Sequence, residues 1–224
     1  MTILDEEQEY FISWAKGVVG EDSVLEKEPH GDEGVVYKLQ TPSGNYYLKL
    51  KKGSDFSSER QRLDWLQNKL PVPKVVASTQ KNGVGALLLT AIEGRNLAAL
   101  CKEWSAEKVI DQLVQALKHF HAADPANWPF EEHEDGMVLV HSDACLPNFI
   151  FTEENFSGYV DLGESALGPV EIDLRAAVWS LQYNLGAGHG LDFLRKYGYQ
   201  NATEKQIMEF IHEYEDLQRA HSLL

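Results

Sequence analysis

Cysteine is scarce in this chain: Cys101 and Cys145 are the only two among 224 residues. Their spacing makes neither a disulfide framework nor a zinc motif, so a reducing setting with both thiols free is expected. Long apolar runs are missing as well. The longest, from Gly85 to Ile92, falls far short of the ~20 residues that a membrane helix needs, so no membrane partner is expected. Positive charge is in short supply. Twenty Lys and Arg stand against 35 Asp and Glu, a formal charge of -15, and such a surface repels a phosphate backbone, which argues against nucleic acid as a partner. The opening MTILDEEQEYF is acidic where a secretory signal carries positive charge and then an apolar core, which predicts no export and a cytoplasmic location. No internal repeat or low-complexity tract is visible. What remains is the 43% hydrophobic content of an ordinary globular protein, long enough for one large domain or two small lobes.

Apolar periodicity supplies the elements. Ile3, Leu4, Phe11, Ile12, Trp14 and Ala15 fit one face of a helix over residues 3 to 18, with acidic residues concentrated in its first half. VVYKLQ and NYYLKLKK read as an antiparallel hairpin around TPSGN, and GALLLTAI as a third strand. Between them SSERQRLDWLQNKL spaces Leu63, Leu66 and Leu70 as a helix does and halts before Pro71 and Pro73. A third helix is expected from Ser105 to His121, with Ser105 and Lys108 giving half a capping box. MVLVH, NFIFT and FSGYVDLG are short apolar runs, and residues 171 to 185 and 203 to 221 read as helices. The character changes near Glu93 and Gly94. The expected fold is therefore α+β, with a small antiparallel-sheet lobe over residues 1–92 and a mainly helical lobe over residues 93–224.

The chemically informative stretch is HSDACLPN, His141 to Asn148, followed by DLG at Asp161 to Gly163. A carboxylate, an amide five residues later and a second carboxylate on the next strand are what metal-assisted phosphoryl transfer requires. Asp143 can orient a hydroxyl and accept its proton. Asn148 and Asp161 offer one neutral and one charged oxygen, hard donors suited to Mg²⁺. Upstream, strand alternation puts Tyr47 and Lys49 on one side and Leu48 and Leu50 on the other. Lys49 can grip phosphates, with Glu59 early on the following helix as its partner. Gly31 and Gly34, in HGDEGVVYKL, lie where backbone amides could approach phosphates.

Each residue also has a plainer reading when taken singly: Asp143 as a turn aspartate, Asn148 as a turn cap, Asp161 as a strand end, Lys49 and Glu59 as surface charges. Their order together favours the phosphoryl-transfer reading. His141 reads as structural, and Cys145 as a small buried residue, since this chemistry needs no covalent intermediate.

With HSDACLPN, DLG, YLKL, Glu59 and LPVPKV in this order, the chain resembles the aminoglycoside phosphotransferase family, and most of all its 3'-phosphotransferases. The likeness spans nearly the whole chain and includes LLLTAIEG and DLRAA at Asp173. It implies a bilobal, protein-kinase-like fold with the nucleotide held between the lobes. It also implies transfer of the γ-phosphoryl group of ATP or GTP to a hydroxyl of a small, cationic, aminoglycoside-like substrate, and with it a role in antibiotic resistance. Tyr47 would stack on adenine, backbone groups from Thr90 to Ile92 would bind its edge, Lys49 would hold the α and β phosphates, and Glu59 would position that lysine. Asp173 would brace the catalytic loop without being catalytic.

Departures fall on the substrate side. The family's H-G-D is His141-Ser142-Asp143 here, a change expected to be tolerated if the backbone at Ser142 is ordinary. Glu164 stands where many relatives carry Arg, reversing a charge beside the metal site. Few residues lie between His121 and MVLVH, where the aminoglycoside enzymes insert a helical, substrate-covering segment. Glu215 and Asp216 on the last helix are candidate ligands for substrate amines, or simply a solvated face. Two alternatives stay open: a kinase for another metabolite, such as a sugar amine or amino alcohol, and a nucleotide-binding regulatory module without turnover.

Overall fold

In the computed structural model, which describes residues 3–28, 34–131, 134, 136–153 and 155–221, the chain forms two units. One comprises Met1–Gln67 with Pro73–Ala91, the other Asn68–Val72 with Ile92–Leu224.

The first unit is built on alternation. Helix α1 (Asp5–Val19) is followed by strands β1 (Val24–Lys27), β2 (Val35–Thr41) and β3 (Gly44–Lys52), helix α2 (Ser57–Leu66), and strands β4 (Val75–Lys81) and β5 (Val84–Thr90). The five strands pair in the order β1-β2-β3-β5-β4, antiparallel throughout. Leu48 and Leu50 of β3 and Ala86 and Leu88 of β5 point to one face, where they form a core with Phe11 and Ala15 of α1. The amphipathic spacing of α1 exists to cover that face. Its first turn carries Asp5, Glu6 and Glu7, favourable at the positive end of a helix, and the Leu4 N–H donates to Glu7 Oε2 at 2.9 Å. Phe11 is fully buried there, so Phe11→Ala would cost roughly 3–5 kcal/mol.

Sequence reasoning placed β2, β3 and β5 but not β1 or β4. Both of the latter are edge strands. VLEK and VVASTQK have mostly exposed or half-exposed side chains, so neither carries the apolar alternation that marks a strand packed on both sides.

The second unit is mainly helical. Strand β6 (Arg95–Asn96) leads to the short helix α3 (Leu97–Leu100) and then α4 (Ala106–His121); β7 (Val138–Val140) precedes a 3₁₀ turn, Leu146–Asn148, and strands β8 (Phe149–Thr152), β9 (Asn155–Tyr159) and β10 (Ala166–Gly168). Helices α5 (Glu171–Leu185), α6 (Gly190–Tyr197) and α7 (Glu204–His221) complete it. The strands make two small ribbons, β6-β8-β9 and β10-β7. Helix α4 starts as its sequence indicates, with Ser105 Oγ accepting the Lys108 N–H at 3.2 Å, and it buries Val109, Leu113, Leu117 and Phe120 along one stripe. Helix α6 escaped sequence reasoning because GLDFLRKY buries only Phe193 and Leu194 and is too short to show a repeating stripe. Residues 68–72 join this unit through the Tyr159 N–H, which donates to the Pro71 carbonyl at 3.0 Å. Among the described residues, no helix is long and apolar enough to cross a membrane.

Candidate active site

In the first unit the face of β3 opposite α1 carries Tyr47 and Lys49. Lys49 is directly across from Val36 on one side and Leu87 on the other. Its Nζ lies 2.7 Å from Glu59 Oε1 on α2, with the two side chains 22% and 11% exposed. A pair this sheltered is screened far less than a surface pair, so the carboxylate fixes the direction of a long, otherwise mobile stem. Tyr47 is half-buried beside them. Burial raises its phenol pKa first, with the charges of Glu28 and Glu26 adding to the effect.

Gly34 and the stretch after β5 are constrained in ways the sequence does not show. A Cβ on Gly34 would stand 2.4 Å from the Leu50 carbonyl oxygen, so the close approach of β2 to β3 excludes any side chain there. Gly31 lies outside the described residues. Thr90 donates its N–H to the Lys74 carbonyl and accepts the Lys74 N–H on Oγ1, both at 2.9 Å, while the Ala91 N–H donates to the Asn45 carbonyl. The amides of Thr90 and Ala91 are thus committed within the first unit. Ile92 belongs to the second.

In the second unit the loop after β7 is held from several sides. Asp173, near the start of α5 and 0% exposed, accepts the His141 N–H on Oδ2 at 2.7 Å and the Ser142 N–H on Oδ1 at 2.8 Å. His121 Nε2 also reaches Oδ2 at 2.9 Å, so the buried carboxylate is surrounded by donors, as burial demands. The bracing role implied for Asp173 is matched by these contacts. His141 is fully buried, and its Nε2 faces the Val160 carbonyl at 3.0 Å. A carbonyl only accepts, so Nε2 carries the proton; Nδ1 is then the acceptor for the Asp143 N–H at 3.4 Å. This imidazole is structural.

Ser142 is not in ordinary backbone. Its φ is +71°, in the left-handed region that glycine tolerates best, so the condition under which serine would be an easy replacement is not met. The residue is kept there by Asp173.

Asp143 lies at the centre of the loop, partly exposed. Asn148 Nδ2 donates to Asp143 Oδ2 and to the Asp143 carbonyl, both at 2.8 Å, and Tyr214 Oη donates to Asp143 Oδ1 at 3.1 Å. The amide nitrogen of Asn148 is thereby used up, which leaves its oxygen as the atom to face a cation. The Val160 N–H donates to the Asn148 carbonyl at 3.0 Å, so Asp161 follows directly from a residue anchored to Asn148. Asp161 is exposed, with φ +61°. An amide oxygen and an exposed carboxylate are a donor set that fits Mg²⁺, an ion that keeps waters and phosphate oxygens for its remaining positions. Among the described residues, no three His, Cys, Asp or Glu gather into a metal cage.

The proposed substrate residues are outside this network. Glu164 is exposed in the turn after Asp161. On α7, Glu215 and Asp216 reach Arg219 at 3.8 and 3.2 Å.

Three contributors went unnoticed in the sequence. Tyr214 ends the stripe Ile207, Phe210, Ile211, Tyr214, which reads simply as core. Ser180 accepts the Leu146 N–H on Oγ at 2.9 Å from one turn of α5, and His121 closes α4; their only signal was polarity on an apolar helix face. Cys145 is buried, and burial first, then the neighbouring Asp143 charge, pushes its thiol pKa far up, as expected of a packing residue.

A strand lysine paired with a helix glutamate in one unit, and an aspartate–asparagine loop followed by a second aspartate in the other, define a kinase-like phosphotransferase that acts on hydroxyl groups. The chain belongs to the phosphotransferase enzyme family, whose profile matches residues 27–138 and 125–211. It is 25% identical to an aminoglycoside 3'-phosphotransferase of Enterococcus faecalis over 67% of this chain and 77% of that protein. With one from Escherichia coli it shares 23% identity over 88% of each. Among solved structures, an aminoglycoside phosphotransferase of Streptomyces rimosus, determined with ADP and streptomycin, superposes with a TM-score of 0.72 at 18% identity, covering 93% of this chain and 96% of the other. An aminoglycoside 3'-phosphotransferase of type VIII gives 0.66 over 83% and 91%. The kinase-like α+β fold expected from the motifs is therefore the fold found.

Proposed function

We propose that the chain transfers the γ-phosphoryl group of ATP or GTP to a hydroxyl of an aminoglycoside-like cationic substrate, and so acts as a resistance enzyme. The observation that carries this reading is the state of Asp143. Both of its carboxylate oxygens are engaged by fixed donors, Asn148 and Tyr214, which aim the remaining lone pairs at an incoming hydroxyl. The negative charge of the chain suits a cationic acceptor.

In this scheme Lys49, steadied by Glu59, holds the α and β phosphates, while Tyr47 lies against adenine. Backbone groups from Thr90 to Ile92 meet the edge of the base, and Gly31 and Gly34 belong to the loop near the phosphates. Asp143 orients the acceptor hydroxyl and takes its proton as the bond to phosphorus forms. Asn148 and Asp161 hold Mg²⁺, which when bound neutralises charge on the transferred group. Positioning and fixed charge account for most of the acceleration expected of such a site. Glu164, Glu215 and Asp216 are the candidates for contact with substrate amines.

One observation favours a smaller acceptor as a second reading. Between α4 and β7 the described residues contain no helix, so the segment that would cover a large drug is short. A kinase for a sugar amine or amino alcohol would need no such cover. The test is nucleoside diphosphate release with ATP and with GTP, magnesium, and a panel of aminoglycosides and amino alcohols, beside Asp143→Ala. Turnover that depends on an aminoglycoside and is lost in the variant supports the first reading, and turnover only with amino alcohols supports the second. Nucleotide binding without turnover on any acceptor would point to a regulatory module.

A further inference from the structure

Tyr214, on α7, bonds directly to the proposed base. Its hydroxyl donates to Asp143 Oδ1 at 3.1 Å, opposite the Asn148 amide on Oδ2 at 2.8 Å. Two donors from different elements, one on each oxygen, leave a carboxylate little freedom to rotate about its Cβ–Cγ bond. A tyrosine in this place has two physical interpretations. It is either a stand-in for the acceptor hydroxyl, to be displaced when substrate arrives, or a permanent strut. The surroundings decide between them.

The Tyr214 side chain is 6% exposed. Its ring packs against Trp179 of α5, with centroids 5.2 Å apart, and Trp179 is itself stacked on Tyr183 at 5.3 Å. The phenolic oxygen lies 3.2 Å from Cys145 Sγ. With its only proton given to Asp143, that oxygen accepts from the thiol, which completes a chain from Cys145 through Tyr214 to Asp143. Swinging the ring out would empty a packed site and break both bonds. Burial also keeps the phenol protonated, as a donor must be.

We infer that Tyr214 is a positioning residue: its hydroxyl sets the orientation of the Asp143 carboxylate for proton acceptance and remains bound to it throughout turnover. This rests on the reading of Asp143 as the base. It gives α7 a part in the chemistry beyond lining a substrate site, and it makes the hydroxyl, not the ring, the element that matters.

The experiment compares Tyr214→Phe, Asp143→Ala and Met208→Ala, the last an exposed α7 position, with the unaltered chain. The readouts are kcat, KM for ATP, KM for the acceptor and thermal unfolding. The acceptor is whichever panel member turns over, or water, through magnesium-dependent ATP hydrolysis, when none does. Tyr214→Phe keeps the ring. Losing a hydrogen bond to a charged group should lower its kcat on the order of tenfold, with both KM values near those of the unaltered chain. Met208→Ala should match the unaltered chain. A wild-type kcat in Tyr214→Phe, with Asp143→Ala inactive, overturns the positioning role alone. A lower acceptor KM at intact kcat also overturns it, since the hydroxyl would then be a displaceable stand-in. A lower kcat accompanied by a matching fall in unfolding temperature and in active fraction would make the residue merely structural. Should Asp143→Ala turn over like the unaltered chain, or should neither acceptor nor water support turnover, the reading of Asp143 fails and the role of Tyr214 falls with it.

Discussion

Asp173 Oδ1 accepts the backbone N–H of Ser142 at 2.8 Å and so fixes a residue with a side chain in left-handed backbone, φ +71°. The carboxylate thus offsets a conformational cost that glycine would not incur. Ser142→Gly should therefore stabilise the chain slightly, by up to about 1 kcal/mol, since a gain in unfolded-chain entropy offsets part of the relief. Ser142→Val should destabilise it by more than ~1 kcal/mol, because a branched side chain fits that region worst. Urea unfolding of the two variants gives both signs.

Asp173→Asn keeps the shape but leaves one oxygen where two accepted. At least one of the His141 and Ser142 amides then faces an NH₂ group, at a cost of roughly 2–3 kcal/mol. Activity should fall with loop order, while Lys49-dependent nucleotide binding survives. Equilibrium unfolding and nucleotide titration on the same sample separate the two effects.

Lys49 and Glu59 should not be equivalent. Lys49→Met removes the charge offered to phosphate, and kcat/KM for ATP should drop on the order of a hundredfold. Glu59→Gln leaves the lysine charged but less firmly aimed, and its loss should be smaller. Steady-state kinetics with varied ATP ranks them; equal losses would mean that the pair acts only through fold stability.

Asp161→Asn removes the charged member of the proposed magnesium pair and leaves Asn148 in place. The magnesium concentration for half-maximal turnover should rise at least tenfold, while unfolding midpoints without metal stay near wild type, because Asp161 is exposed. An unchanged magnesium requirement would remove Asp161 from the metal site.

Alkali should unfold the chain in a defined order. Burial raises the Cys145 thiol pKa, and it raises those of the Tyr159 and Tyr214 phenols. An acid whose pKa is raised on folding is neutral in the native state and ionises first in the unfolded chain, so its stabilisation is complete below the unfolded pKa and is lost above it. Stability should begin to fall above about pH 8.5, where an unfolded thiol ionises, and fall more steeply above about pH 10, where phenols do. Chemical denaturation from pH 7 to 11 follows the curve. Cys145→Ala should shrink its first limb and leave the part due to Cys101, whose thiol pKa burial also raises.

Much of this was legible because different signals repeat at different scales. Strands β2, β3 and β5 alternate apolar and polar residues or run fully apolar, and α4 holds one stripe for four turns, so local periodicity was enough. Asp143, Asn148 and Asp161 stood out as candidates because they sit at fixed offsets in short stretches, and Asp173 through the family resemblance of DLRAA. Tyr214 was hidden, since a tyrosine closing an apolar helical stripe looks the same whether its hydroxyl meets water or a carboxylate. The left-handed backbone at Ser142 was hidden too: φ depends on what holds the residue, and Asp173 lies 31 positions away.

That dependence on later sequence has a biosynthetic side. The groups that order the loop at residues 141–148 are Asp173, Ser180 and Tyr214, which follow their partners by 31, 34 and 71 residues. While the chain is still on the ribosome, the first unit has all its strands once residue 91 has emerged, and the loop, when it follows some fifty residues later, still lacks every one of these supports. The aspartate proposed as the base is made well before anything exists to aim it, so a nascent chain that has not yet released α7 should be folded in part and silent as an enzyme.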